Sequence, residues 1–149
     1  MKSILKRSGV LLLGLVIFNN IVYSQKKVEI SGGLGFPENI NLKVKYGNNI
    51  QIGLCQSIMP SYVDWPLAVE IHFHFGGTSG FVDQKPWYLL GGFGDLWRLG
   101  NVIYFYPKIG RSFNFSKNAG INIDAGIFMI NPSSMHTLPS LNINLFVRL

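Results

Sequence analysis

The chain has 149 residues, a formal net charge of +6, and charged and aromatic fractions of 13% each. The charged fraction is about half that of a typical soluble domain, and the length suits one domain. No nucleic-acid-binding surface is expected, because past the first turn of the chain the basic residues form no run longer than Lys26-Lys27.

The first segment reads as an export signal. Met1-Lys2-Ser3-Ile4-Leu5-Lys6-Arg7 is basic, Val10 to Phe18 is apolar, and Val22-Tyr23-Ser24 supplies small or apolar residues before a cleavage point at Gln25. Residues 1–24 are therefore assigned to a signal peptide and 25–149 to a single domain. Half of the formal charge, carried by Lys2, Lys6 and Arg7, belongs to the signal. Cys55 is the only cysteine, so neither a disulfide nor a lipid-modified first residue is expected.

Beyond the signal, apolar and polar residues alternate with the period of two that marks a strand with one greasy face. The alternation predicts strands over about 27–35, 39–46, 49–57, 66–76, 86–94, 101–115, 119–130 and 140–149. In the second, Leu42, Val44 and Tyr46 oppose Asn41, Lys43 and Lys45. In the fourth, Val69, Ile71, Phe73 and Phe75 oppose Glu70, His72 and His74. In the seventh, Ile121, Ile123, Ala125, Ile127 and Met129 oppose Asn122, Asp124 and Gly126; in the last, Leu141, Ile143, Leu145 and Val147 oppose Asn142, Asn144 and Arg148. Pro107 predicts a bulge or a strand end, because proline cannot donate to a ladder.

Eight strands suit a closed antiparallel barrel with both termini at one end, short turns at that end and longer loops at the other. Gly47-Asn48-Asn49 and Ser116-Lys117-Asn118 fit inner turns; Ser57 to Trp65, Asp95 to Gly100 and Asn131 to Pro139 fit outer loops. Phe36-Pro37-Glu38 is short for an outer loop and Gly76 to Lys85 is long for an inner turn. Tyr46, Trp87, Tyr88, Phe113 and Phe115 are placed toward the inner rim and Trp65 and Trp97 toward the outer one, as in the aromatic girdles of a membrane barrel. A soluble barrel would turn the apolar set inward around a ligand instead, and periodicity does not distinguish the two.

Four stretches carry a resemblance: Tyr23-Ser24-Gln25, the run from Trp87 to Gly94, the run from Asn118 to Gly126, and the alternating last strand. They resemble the small outer-membrane β-barrel proteins common in the Bacteroidota. The resemblance implies an all-β fold, a single antiparallel transmembrane barrel of about eight strands, placed in the bacterial outer membrane. Its implied partners are outer-membrane lipid and, during biogenesis, the barrel-assembly machinery. In that family the last strand usually closes on an aromatic residue, where this sequence has Leu149.

Two chemistries have candidate residues in the sequence. Glu70-x-His72-x-His74 places like-facing side chains about 7 Å apart, close enough to share a metal with Asp124 or His136. The competing reading is a lumenal polar network of Lys43, Lys45, Glu70, His72, His74, Asp124 and Arg148, and it is the one adopted, with no metal or cofactor. Ser133, Ser134 and His136, with Asp64 or Asp95, are the candidates for a lipid-modifying hydrolase, but loop serines beside a proline are usually turn formers and no Gly-x-Ser-x-Gly elbow is present. The expected role is non-enzymatic, structural or surface-interacting, with outer-loop residues Tyr62, Trp65, Trp97 and His136 as the contact candidates and an unidentified surface partner. A soluble barrel binding an apolar ligand is the alternative and an outer-membrane lipid-modifying enzyme the third.

Overall fold

A computed structural model describes residues 28–58, 65–96, 102–130 and 136–149. The proposed signal segment, Tyr62, Trp97, Ser133 and Ser134 lie outside the described residues. Eight strands follow one another: β1 (Val28–Phe36), β2 (Asn39–Gly47), β3 (Ile50–Ile58), β4 (Leu67–Phe75), β5 (Trp87–Leu96), β6 (Val102–Asn114), β7 (Ala119–Ile130) and β8 (His136–Arg148). Each pairs antiparallel with its neighbour in sequence, and β1 pairs with β8, so the sheet closes into a barrel and leaves no free edge along the paired length.

Closure forces a choice of face on every strand. The polar side of the alternation points inward: Lys43 and Lys45 on β2, Glu70, His72 and His74 on β4, Asp124 on β7 and Arg148 on β8 are all buried. The apolar side points outward, with Leu42, Ile71, Ile123 and Ile143 each more than a third exposed. Every strand contributes large exposed apolar side chains, from Leu34 on β1 to Val147 on β8.

Three expectations are corrected. The strand predicted to break or bulge at Pro107 does neither: β6 runs unbroken from Val102 to Asn114, and Pro107 stays in register with Gly91 of β5. On the β7 side the pairing lapses at Tyr106 and Pro107 and resumes at Lys108 in the same register, so the ladder absorbs the missing N–H locally. The last strand begins at His136, four residues before the predicted start, and includes Pro139. That stretch pairs with β7 alone, since β1 ends opposite Leu141, and a proline there breaks no second ladder. Tyr88, placed in the inner girdle by sequence, points into the barrel and is 1% exposed.

The interior is packed by rings laid over glycines. A Cβ on Gly92 would stand 2.0 Å from Tyr106, one on Gly94 2.4 Å from Tyr104, one on Gly110 2.3 Å from Tyr88, and one on Gly120 2.5 Å from Phe146. Each ring thus lies across the neighbouring strand, where a side chain would otherwise stand, and the bare backbone makes the room. Tyr104, Tyr106 and Phe128 stack in turn, with centroids 5.0 to 5.9 Å apart. This is the aromatic cover of glycine that lets a narrow barrel curve without leaving voids.

Gly92→Ala is expected to destabilise the barrel by about 1–3 kcal/mol through overpacking against Tyr106. Gly91→Ala, on the outward side with its nearest neighbour at 3.9 Å, should be near neutral. Equilibrium denaturant unfolding of the two variants checks the contrast; equal losses would refute the close approach as the reason for Gly92.

Candidate functional site: a charge-paired lumen

The described interior carries four acids, Glu29, Glu38, Glu70 and Asp124, and four bases, Lys43, Lys45, Lys108 and Arg148, all buried. An isolated charge at such a position costs several kcal/mol, so the geometry of pairing decides whether the lumen is tolerable. The eight groups sort into three clusters along the barrel.

At the inner end Glu29 of β1 is the hub. It meets Lys45 at 2.5 Å and Arg148 Nε at 2.9 Å, and accepts a hydrogen bond from Asn122 Nδ2 at 3.0 Å. Ser112 donates to Asn122 Oδ1 at 2.7 Å, and Arg148 Nη1 donates to Asn114 Oδ1 at 2.7 Å. The Arg148 guanidinium also lies over Phe146, 4.3 Å from its centroid. One carboxylate thereby ties together β1, β2, β7 and β8, and through Asn122 and Arg148 reaches β6.

In the middle Glu70 of β4 takes the same part. Lys43 Nζ donates to Oε1 at 2.8 Å, Tyr106 O–H donates to the same oxygen at 2.8 Å, and His72 Nε2 is 2.9 Å from Oε2. Tyr106 reaches this acid from β6 across Gly92 of β5, so the close approach and the hydrogen bond are one feature. Toward the outer end, Lys108 Nζ donates to both carboxylate oxygens of Glu38, at 2.9 and 3.1 Å, and stands 3.5 Å from Asp124. Tyr88 O–H donates to the other Asp124 oxygen at 3.1 Å.

The two links at odds with simple barrel parity each turn a buried side chain, Glu38 or Gln84, toward the barrel ends. Glu38 sits in the two-residue connection between β1 and β2, and its side chain turns into the lumen to reach Lys108. The long connection between β4 and β5 folds back over the inner end: Gln84 Nε2 donates to Asn48 O at 2.7 Å, and Asn114 Nδ2 donates to Ser79 at 3.0 Å. His74 belongs to this lid, with Nδ1–H donating to Lys85 O at 2.9 Å and Nε2 lying 3.1 Å from the Gln51 side-chain amide.

The seven lumenal residues named from sequence are thus all interior, in different partnerships. Lys43, Glu70 and His72 form one cluster, Lys45 and Arg148 meet through Glu29, Asp124 turns to Lys108 and Tyr88, and His74 joins the inner lid. Glu29, Glu38, Lys108, Tyr88 and Tyr106 were missed. The alternation of Lys108 with Ile109 on β6 and of Glu29 with Ile30 on β1 was the available signal, obscured by Pro107 and by the glycines of β1. Of the contact candidates, Trp65 is 65% exposed and His136 is exposed at the outer start of β8.

Both ring nitrogens of His74 are engaged, His72 is turned to Glu70, and His136 begins β8 at the opposite end of the strands from His74. Among the described residues no group of three or more His, Cys, Asp or Glu side chains is placed to hold a metal ion.

Fold and interior together define a small, closed, eight-stranded antiparallel barrel with a charge-paired polar lumen and an apolar outer face. No family model, curated protein or solved structure matches the chain.

Removing one partner from a buried pair leaves the other charge stranded. Glu70→Gln should cost about 3–5 kcal/mol of stability. Lys43→Met combined with Glu70→Gln should cost clearly less than the two single changes added together, as a double-mutant cycle by denaturant unfolding would measure. Strict additivity would dismiss the pair as a determinant of the fold.

Proposed function

We propose that this protein is an outer-membrane β-barrel of a Gram-negative bacterium, exported by a cleaved signal, with a non-enzymatic structural or surface-interaction role. The observation that carries the reading is the distribution of polarity: paired charges fill the lumen and aliphatic side chains cover the outside of every strand. In water such an outer face would be a continuous apolar patch around the whole barrel, far beyond what soluble monomers expose. In a bilayer it is the expected surface.

Strand length supports the same reading. The strands run from 9 to 13 residues, and a tilted strand needs about 9–11 to cross the hydrocarbon core. Aromatic side chains face outward near the ends: Trp87, Phe113 and Phe115 by the inner turns and Trp65 by the outer loops. The alternative of a soluble barrel with an apolar ligand inside needs an apolar cavity, whereas the interior here holds eight paired charges and stacked rings.

A lumen filled by its own side chains does not serve a wide diffusion pore. Recognition then falls to the outer rim, where Trp65 and His136 flank the longer connections. Lipid is the first partner on this reading, with the barrel-assembly machinery acting during insertion. The small barrel proteins of the Bacteroidota are the family this proposal points to.

Cell fractionation followed by SDS gels of unboiled and boiled samples tests it. The protein is expected in the outer-membrane fraction, with a migration that shifts on heating; a soluble protein with no shift would overturn the reading. Ile71→Lys, at the middle of the outward face of β4, should reduce folding into vesicles by about 2–4 kcal/mol. The same change would be nearly neutral on a face that meets water.

A further inference from the structure

Arg111 is the one basic side chain on the outward face of the described strands. Every other strand base, Lys43, Lys45, Lys108 and Arg148, points inward to a carboxylate. Arg111 is exposed, and among the described residues no carboxylate pairs with it. Its guanidinium is instead held by rings, 5.3 Å from the Trp87 centroid on β5 and 4.9 Å from that of Phe113 on its own strand. Trp87 is its cross-strand partner, so the register itself puts the indole beside the cation.

Its height on the barrel matters as much as its surroundings. From Arg111 toward the outer end, the outward residues of β6 are Ile109, Pro107, Phe105 and Ile103, all apolar. In the other direction the strand ends at Asn114, about 10 Å away by the rise of an extended chain. Arg111 therefore stands where the apolar band gives way to the rim. Lys85, just before Trp87, and Lys117, in the turn after β6, are exposed on the same rim, with Asp83 as the acid among them.

We propose that Arg111, Trp87 and Phe113 form a binding site for the phosphodiester of an anionic phospholipid in the leaflet at the inner rim. The inference rests on the membrane reading above. A guanidinium offers five donors in a planar fork that matches phosphate oxygens, and the two rings take up its flat faces while leaving the edge free. A zwitterionic lipid brings its own cation to compete, so an unpaired arginine backed by two lysines favours a headgroup of net negative charge.

Trp87 is the natural reporter. In a Trp65→Phe/Trp97→Phe background it is the only tryptophan, and lipids brominated on the acyl chain quench an indole they touch. The protein is refolded in mixtures of brominated and plain lipid, with folding checked by the heat-dependent gel shift. Brominated phosphatidylglycerol should compete for the Trp87 site about fivefold better than brominated phosphatidylcholine, the value of one such charge contact. Arg111→Gln should bring that ratio to about one, and Arg111→Lys, which keeps the charge and loses the fork, should retain part of it. Raised salt should lower the ratio in the parent, giving a readout that needs no variant to fold. Equal quenching by the two lipids in the parent, or a preference that survives Arg111→Gln, would overturn the site while leaving the membrane barrel in place. Absence of quenching by either lipid in folded protein would instead overturn the membrane reading, and the site with it.

Discussion

A ring of eight strands encloses a space only wide enough for its own side chains, so an inward charge has no bulk water to fall back on. The rest of the structure follows from meeting that constraint. Glu29 and Glu70 each collect cations and neutral donors from several strands: Glu29 joins its two ladder partners, Lys45 and Arg148, and Glu70 reaches Lys43 and Tyr106 over the strand that lies between. The pairings do not raise stability relative to a well-packed apolar interior, since desolvation offsets most of the attraction. They select a register instead. Sliding one strand by a single residue would turn its charges outward and bring its aliphatics into the lumen, stranding the partners on the facing walls.

The same economy explains the two connections that disobey the pattern of short turns at one end and long loops at the other. The connection between β1 and β2 is tight because its one charged residue is directed inward, where Glu38 answers Lys108. The connection between β4 and β5 is long because it must travel from the end of β4 over the mouth, touching Asn48 of the β2–β3 turn and Asn114 of β6, before β5 begins. Gly76 and Gly77, with φ of 56° and 72°, make the reversal at its start. Glu38 and Gln84 are thus buried on segments that barrel parity alone would place outside the structural core.

Strand identity and facing were legible because they depend on a local period of two, which Leu42 to Tyr46 or Leu141 to Leu145 display without interruption. Partnership was not, because it depends on the register between strands distant in sequence and on which side chains reach past the strand between them. Lys45 and Arg148 look like members of the Glu70 set in sequence, yet they meet Glu29, which enters through the glycine-rich β1. Tyr88 was misplaced for a related reason. Next to Trp87 at a strand start it has the composition of a girdle residue, and only the parity of β5 shows that one of the two neighbours must turn inward, where Gly110 makes room for the ring. Pro107 was read as a break because a proline forfeits one donor, but pairing with β5 throughout, and with β7 before and after the gap, carries the strand past that loss.

Because the interior is committed to pairing its own charges, chemistry there would have to compete with the fold. A group such as Glu70 or His74 that already holds two or more partners can bind a solute only by releasing them, and release strands a cation in a narrow lumen. Variation at the rims carries no such cost. The outer ends of β6, β7 and β8 illustrate this, since His136 to Ser140 of β8 extend past the last residue of β1 and pair on one side only. Residues can change there without disturbing any buried charge, and the barrel below supplies a rigid base for whatever those ends present. A fold whose core is fixed by electrostatics therefore leaves sequence variation to its edges.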